Sequence, residues 1–292
     1  MYDARSRTGG ETSNLVFGLA TLAVVGGAFL AVWKGPDLMG AGGPASPAAA
    51  VSASLSAPGD IGSVAMSPQE TRFLSVISRL SPETYRELAL RLPSVGQDQL
   101  KRMEVMFVAA YPVLIENADH LGKVSVRDID RLTDTAIKEL RKFQQSGTKW
   151  CKGSFLARFE GKSTRQAANM VYANGLTHDV AAPIALTINA EFYELIERAR
   201  TNPTHHGKLT AADEQALQGA VMSLMADPSV MKAMMAGGNQ SEALKQLNVC
   251  SMGVTALRSF RRLPGATKGR AWAAMFDHPD YKRAIREAER MF

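Results

Sequence analysis

Residues 125–143 read SVRDIDRLTDTAIKELRKF, and this stretch decides the fold class. Its apolar residues recur every three or four positions, which is the spacing of one face of an α-helix. This stripe consists of Val126, Ile129, Leu132, Ala136, Ile137, Leu140 and Phe143. A second stripe of the same period consists of Val180, Ile184, Ile188, Phe192, Leu195 and Ile196. Because period-two alternation bounded by turn residues is almost absent, the sequence predicts an all-α body.

Signals for helix starts and stops divide this body into about eight helices. Starts are indicated by the capping box Ser67-Pro68-Gln69-Glu70 and by Ser81, Ser125 and Thr210, each of which precedes a helical pattern. Breaks are expected near Pro93, Gly122, Gly147 to Gly153, Gly175, Asn202-Pro203, Asp227-Pro228, Gly237-Gly238 and Pro264-Gly265. We therefore predict one helical globular domain over residues 66–292.

A membrane anchor is predicted before this domain. Residues 15–33 read LVFGLATLAVVGGAFLAVW and carry no charge. As a helix they would extend about 28 Å, close to the hydrocarbon thickness of a bilayer. A cleaved signal peptide is the first alternative, but Val32-Trp33-Lys34 is a poor cleavage site. A buried core helix is the second, and it would be expected to show an amphipathic pattern.

The distribution of basic residues predicts the orientation of the anchor. Arg5 and Arg7 precede the span, whereas Lys34 is the only basic residue that follows it closely. By the positive-inside rule, residues 1–14 form a cytoplasmic tail and the domain lies outside the cytoplasm. We expect a single-pass inner-membrane protein with a periplasmic body, tied to the lipid bilayer through residues 15–33.

Residues 34–65 are predicted to be a flexible linker. Of these 32 residues, 23 are Gly, Ala, Pro or Ser, which offer little apolar surface to bury. Such a chain spans about 30 Å. The linker either lets the body reach a partner or is a spacer whose length has no function.

Composition excludes several classes of protein. Apolar residues make up 46% of the 292 residues and charged residues 21%, as in a globular protein and unlike a polytopic membrane protein or a fully disordered chain. The two cysteines, Cys151 and Cys250, are too few for a small disulfide scaffold. Outside the cytoplasm we expect them to form a disulfide; buried free thiols are the alternative, and a metal pair lacks neighbouring ligands.

Motifs of common enzymes are absent or incomplete. Gly161-Lys162-Ser163-Thr164 resembles the end of a phosphate-binding loop, but Leu156 stands where the first glycine is required. Ser-x-x-Lys occurs at Ser146 and at Ser229 without its companion triplets. No catalytic residue, cofactor or metal site is therefore assigned.

Three glutamates leave one enzymatic alternative open. Glu191, Glu194 and Glu197 lie three apart along one predicted helix, where they are expected to form a solvated face. The alternative is an envelope hydrolase of glycan or peptide with an unrecognised acidic site, for which Glu160 or Glu191 would be the candidate acid.

A methionine cluster and a basic C-terminal region stand out. The cluster consists of Met222, Met225, Met231, Met234 and Met235. It is open to three interpretations: core packing, an adaptable groove for a partner, and a Cu(I) site. In the basic region Arg258, Arg261 and Arg262 share a predicted helix end.

These features predict a function in binding or assembly. We expect the methionine and arginine residues to contact an envelope protein or an anionic polymer, or else the basic residues to form a plain solvated face. Nucleic acid is not an expected partner, because aromatic residues are not interleaved with the basic ones. A small-ligand sensor is a further alternative.

Overall fold

The structure is a computed structural model that describes residues 65–147, 151–156, 178–226, 228, 230–231, 245–279 and 281–282. The predicted tail, anchor and linker up to residue 64 lie outside the described residues, as do Glu160, Met234 and Met235. The helices are α1 (Pro68–Leu80), α2 (Pro82–Val95), α3 (Gln99–Glu116), α4 (Ala118–Leu121), α5 (Val126–Gln145), α6 (Gly153–Leu156), α7 (His178–Thr201), α8 (Ala211–Met225), α9 (Val249–Arg262) and α10 (Gly265–Asp277).

The all-α prediction is confirmed for these ranges, in which one isolated bridge between Lys152 and Asn248 is the only extended pairing. None of the described helices is both long enough and apolar enough to cross a bilayer.

The predicted helix starts are confirmed by their caps. The Ser67 hydroxyl accepts from the backbone N–H of Glu70, and the Glu70 carboxylate accepts from the backbone N–H of Ser67. The hydroxyls of Ser81, Ser125 and Thr210 likewise accept from a backbone N–H three residues later, at the starts of α2, α5 and α8, and Thr210 also forms the reciprocal box with Asp213. These signals are local, since each needs only four consecutive residues.

The predicted break near Pro93 is confirmed, although the residue that sets it is Gly96. The helix α2 continues through Pro93 to Val95 and ends at Gly96, whose φ is +67°. A left-handed residue ends a helix, and glycine adopts that conformation without steric cost. A proline so close to the C-terminus disturbs only the last turn, so Gly96 sets the end.

The core lies around α7, which packs against α1, α5 and α3. Phe73 of α1 contacts Phe107 and Tyr193 edge to face, each with ring centroids 5.6 Å apart. The Tyr193 hydroxyl donates to the carbonyl of Ala110 at 2.8 Å. Burying these aromatic rings gives much of the stabilisation, and the hydroxyl keeps a hydrogen bond inside the core.

The C-terminal helices are fixed to this core by α5 and by the turn that precedes it. The helix α9 packs along α5, and α10 covers the turn after α4. The indole N–H of Trp272 donates to the carbonyl of Leu121 at 2.7 Å. As a result, the last turns of α8 and α9 have a fixed position on the body.

Candidate functional site

Two of the described methionines of the cluster are exposed. Met222 is 63% exposed and Met231 is 39% exposed, whereas Met225 is half-buried. Among the described residues the only other large hydrophobic side chain with comparable exposure is Leu90 of α2. Core packing therefore does not account for Met222 or Met231.

The three arginines of α9 differ in their surroundings. Arg258 and Arg262 are exposed on the last turns of the helix. Arg261 is half-buried: its Nε lies 3.1 Å from Asp134 Oδ1 and its Nη1 lies 3.2 Å from Asp130 Oδ2. The hydrogen bond to Asp134 raises the pKa of Arg261. Arg261 thus holds α9 on α5, whereas Arg258 and Arg262 pair with no carboxylate among the residues that the structure describes.

A hydrogen bond between two serines brings the methionine and arginine groups together. The hydroxyl oxygens of Ser223 in α8 and Ser259 in α9 lie 2.8 Å apart. Met222 and Arg258 are their chain neighbours, and Arg262 lies one turn further along α9. We call the set Met222, Met225, Arg258 and Arg262 the α8–α9 surface.

The start of α9 is held by the predicted disulfide, which is confirmed. Cys151 and Cys250 are bonded, with their Cα atoms 5.0 Å apart. Beside the bond, the backbone N–H of Gly153 donates to the carbonyl of Leu247 at 2.7 Å. The Asn248 side chain then caps α9 by accepting from the Ser251 N–H at 3.0 Å. The disulfide and these two hydrogen bonds link α6 to α9 and fix the direction of α9.

The prediction of a solvated glutamate face is wrong. Glu191 is 3% exposed, and Arg72 of α1 reaches it at 2.5 Å while also contacting Glu194 at 2.8 Å. Arg198 lies 3.1 Å from Glu191 on the other side, and Glu197 pairs with Arg79 at 2.6 Å. The glutamates are drawn inward because α1 packs its arginines against α7.

These contacts keep Glu194 ionised. Burial raises the pKa of Glu194, but the hydrogen bond and charge of Arg72 outweigh burial and lower the pKa overall. A general acid of a glycoside hydrolase needs a carboxyl group whose pKa is raised. The pKa of Glu194 is therefore shifted in the opposite direction, and the role of this residue is to join α1 to α7.

A second buried carboxylate joins α8 to α10 and is not indicated by any sequence motif. Asp213 accepts from Arg270 at 2.6 and 2.8 Å and from the Thr267 hydroxyl at 2.7 Å. The hydrogen bonds from Arg270 and then those from Thr210 and Thr267 hold the pKa of Asp213 well below its ordinary value. The capping box at Thr210 predicted the helix start, but it gave no sign of the partner on α10.

The adjacent histidines His205 and His206, which precede α8, have different surroundings. His205 is exposed, whereas the Nε2 atom of His206 lies 2.6 Å from the Val124 carbonyl oxygen, so the pair does not converge on one point. The segment Gly161 to Thr164 lies outside the described residues. Across the described ranges, no three His, Cys, Asp or Glu side chains are placed to hold a metal ion.

The sequence analysis did not predict the row of cations that lies on α5. Two open depressions lie along this helix and share Asp134 in their lining. The cations that line them are Arg127, Arg131, Lys138, Arg141, Lys142 and Arg261, and we call this set the cationic groove. A signal was present, because Arg127, Arg131, Lys138 and Arg141 follow one another at intervals of four, seven and three, which places them on one side of a helix.

Comparisons of this chain with protein-family models, curated proteins and solved structures gave no match.

Proposed function

We propose that this protein is a membrane-anchored helical binding protein of the bacterial envelope, and that it docks an envelope protein through the α8–α9 surface. The observation that carries the proposal is the exposure of Met222 beside Arg258 and Arg262. Methionine is flexible and polarisable, so it adapts to an apolar partner surface. The arginines supply charge-assisted hydrogen bonds at the edge of such a contact.

The chemistry of the surface defines the partner. Exposed apolar area flanked by cations fits a protein that offers an apolar patch next to carboxylates. The Ser223–Ser259 hydrogen bond holds the two helix ends together before binding, so little conformational freedom is lost on docking.

Two features support a location outside the cytoplasm. Residues 15–33 have the length and apolarity of a membrane span. The Cys151–Cys250 disulfide suits an oxidising compartment, where such bonds persist. The proposal therefore has an anchor in the inner membrane, a linker over residues 34–65 and a periplasmic body.

The described carboxylates give less support to an envelope hydrolase. Glu191 and Glu194 each contact Arg72 and Arg198, so both are committed to ion pairs between helices. A hydrolase of glycan would need one protonated carboxyl group facing a cleft. The binding function uses surface side chains and does not require a protonated carboxyl group in a cleft.

Site-specific photocrosslinking in membranes tests the docking surface. A photoreactive amino acid replaces Met222 in the full chain, and the same residue replaces Leu90, which is 75% exposed on α2, as the matched control. We expect a discrete crosslinked protein from position 222 and none from position 90. The R258A/R262A change should remove that adduct, because it deletes both free cations of the surface.

Equal crosslinking from both positions, or an adduct that survives R258A/R262A, would remove the α8–α9 surface from the proposal. Location is tested separately with a reporter that is active only outside the cytoplasm, fused after Phe292. An inactive fusion would overturn the periplasmic placement. Deletion of residues 15–33 should release the protein from membranes.

A further inference from the structure

We propose that the cationic groove along α5 binds a linear polyanion whose charged groups are phosphates or carboxylates. The inference goes beyond the α8–α9 surface and does not depend on it, because different side chains carry it and the cations available to a ligand lie on α5. It also does not depend on the cellular location of the chain.

The spacing along α5 aligns the cations on one side of the helix. Arg127, Lys138 and Arg141 are exposed, and they occur at intervals of eleven and three residues. The buried side of the same helix carries Ile129 and Leu132, which face the core. Since a helix rises about 1.5 Å per residue, Arg127 and Arg141 lie about 21 Å apart along the axis. The row is therefore long and narrow, as a linear ligand requires.

Two shallow, open depressions lie along this row. Arg127, Arg131 and Arg261 line the first depression, which is closed on one side by α9. The second is lined by Lys138, Arg141 and Lys142, and its floor includes Ile137. Asp134 lines both depressions, so they are neighbours along α5.

The two carboxylates that line the groove are paired with Lys268 and with Arg261, which is therefore not counted among the cations available to a ligand. Asp130 receives the ammonium group of buried Lys268 and also contacts Arg261. Asp134 pairs with Arg261 at 3.1 Å. Both acidic groups are thus paired with Lys268 or Arg261, the Asp134 pair at the surface, and neither contacts the exposed Arg127, Lys138 or Arg141.

Three cations remain available to a ligand. Arg127, Lys138 and Arg141 contact no carboxylate within the part of the chain that the structure describes. Arg131 lies 4.0 Å from Glu191, which it shares with two other arginines. Guanidinium groups bind phosphate and carboxylate oxygens in pairs of hydrogen bonds, so a groove rich in arginine suits repeated oxyanions.

The shape and the lining favour a linear polyanion over a protein or a membrane. Protein interfaces have an apolar centre, whereas the exposed large hydrophobic residues of the described chain lie elsewhere, at Leu90, Met222 and Met231. A membrane surface attracts basic residues without needing a groove. A flexible chain of oxyanions can follow the 21 Å row and enter both depressions.

Binding of long-chain inorganic polyphosphate to the purified full chain tests the proposal by fluorescence anisotropy at low salt. The groove variant is R127Q/K138Q/R141Q. The matched control is R86Q/R91Q/K101Q, which removes three exposed cations from α2 and α3 and so changes the net charge equally. We expect at least a tenfold weaker affinity for the groove variant and less than a twofold change for the control. The dependence of log Kd on log salt should become shallower by about two to three for the groove variant.

Further arms identify the charged group and the competing ligands. Polygalacturonate replaces phosphate by carboxylate, and stronger binding of either polymer assigns the preferred oxyanion.

Equal weakening in the groove and control variants would overturn the proposal, because binding would then follow net charge alone. Tripolyphosphate binding as tightly as the long chain would also overturn it, in favour of a discrete phosphate site. The proposal would also be overturned if the groove variant bound polyphosphate as the unmodified chain does but no longer preferred phosphatidylglycerol vesicles to phosphatidylcholine vesicles. Unchanged thermal unfolding of both variants confirms that each is folded.

Discussion

Glu70 and Arg102 form a buried ion pair that joins the first turn of α1 to the first turn of α3. Arg102 Nε lies 2.9 Å from Glu70 Oε1, and Nη2 lies 2.7 Å from Oε2. Both side chains are almost fully buried. Arg102 also donates to the carbonyls of Ala65 and Gly96, so a single guanidinium holds the backbone that precedes α1 and the turn after α2.

Removing Arg102 should destabilise the protein strongly. The change Arg102→Met leaves the Glu70 carboxylate buried without its cation, and breaking a buried pair in this way costs about 3–5 kcal/mol. Urea unfolding followed by circular dichroism measures the loss.

The neighbouring change Lys101→Met is the control, because Lys101 is exposed and its pair with Asp98 spans 3.5 Å in water. We expect the control to differ from the unmodified chain by less than about 1 kcal/mol. Similar losses for both changes would show that the buried pair is not a special source of stability.

Reduction of the disulfide should lower stability by at most about 4–5 kcal/mol, since the Cys151–Cys250 bond closes a loop with a sequence separation of 99 residues. The measurement is urea unfolding with and without a thiol reductant. The variant C151S/C250S provides the control, because it should match the reduced protein and respond to reductant no further. A reductant effect that persists in this variant would mean that the loss does not come from the disulfide.

Local signals in the sequence predicted the helices well. A capping box or a Ser-Pro start is complete within four residues, and the starts at Ser67, Ser81, Ser125 and Thr210 follow from it. The all-α class follows from stripes that each lie within a single helix. The disulfide was also predictable, because only two cysteines exist and the proposed compartment favours oxidation.

Contacts between distant residues were not predictable in the same way. Glu191 looked solvated because its helix neighbours are charged, and Arg72, which buries it, lies 119 residues earlier. The partner of Asp213 is Arg270, 57 residues later. A single sequence gives no measure of which side chains meet across helices. The exposure of Met222 depends in the same way on how α8 packs, and a methionine cluster alone is compatible with a core.

Replacing Gly269 by alanine should destabilise the packing of α10. An added Cβ atom would lie 2.2 Å from His206 Nδ1, so the imidazole would have to move. That movement breaks its 2.6 Å contact with the Val124 carbonyl oxygen. Forced displacement of this kind costs about 1–3 kcal/mol, which a thermal unfolding midpoint detects.

A second glycine provides the matched control for this prediction. Gly219 lies within α8, and a Cβ added there meets no atom within 4 Å. The change Gly219→Ala should therefore raise stability by up to about 1 kcal/mol, because alanine favours the helix. The change Gly269→Ala should cost much less when it is made in a His206→Ala background. If Gly269→Ala has the same effect on stability in the His206→Ala background as in the unmodified protein, the close approach to His206 has no energetic consequence.

Acid should weaken the contact between α8 and α10. The pKa of Asp213 is depressed in the folded state by Arg270 and by two threonines, whereas in the unfolded chain it returns to about 4. Below that value the unfolded state binds a proton that the folded state still excludes, so the contribution of Asp213 to stability is full at neutral pH and falls as the pH drops below about 4–5.

The change Asp213→Asn tests this dependence, since it removes the titrating group but keeps the side-chain size. We expect a lower urea midpoint than that of the unmodified chain at pH 7, and a difference that shrinks steadily between pH 5 and about 3. The control is Asp277→Asn, because Asp277 pairs with Lys282 at 3.0 Å on an exposed surface. That variant should follow the unmodified protein at every pH, to within the small contribution of a surface pair. Parallel curves for Asp213→Asn and the unmodified chain would instead show that the Arg270 contact does not contribute to stability through the charge of Asp213.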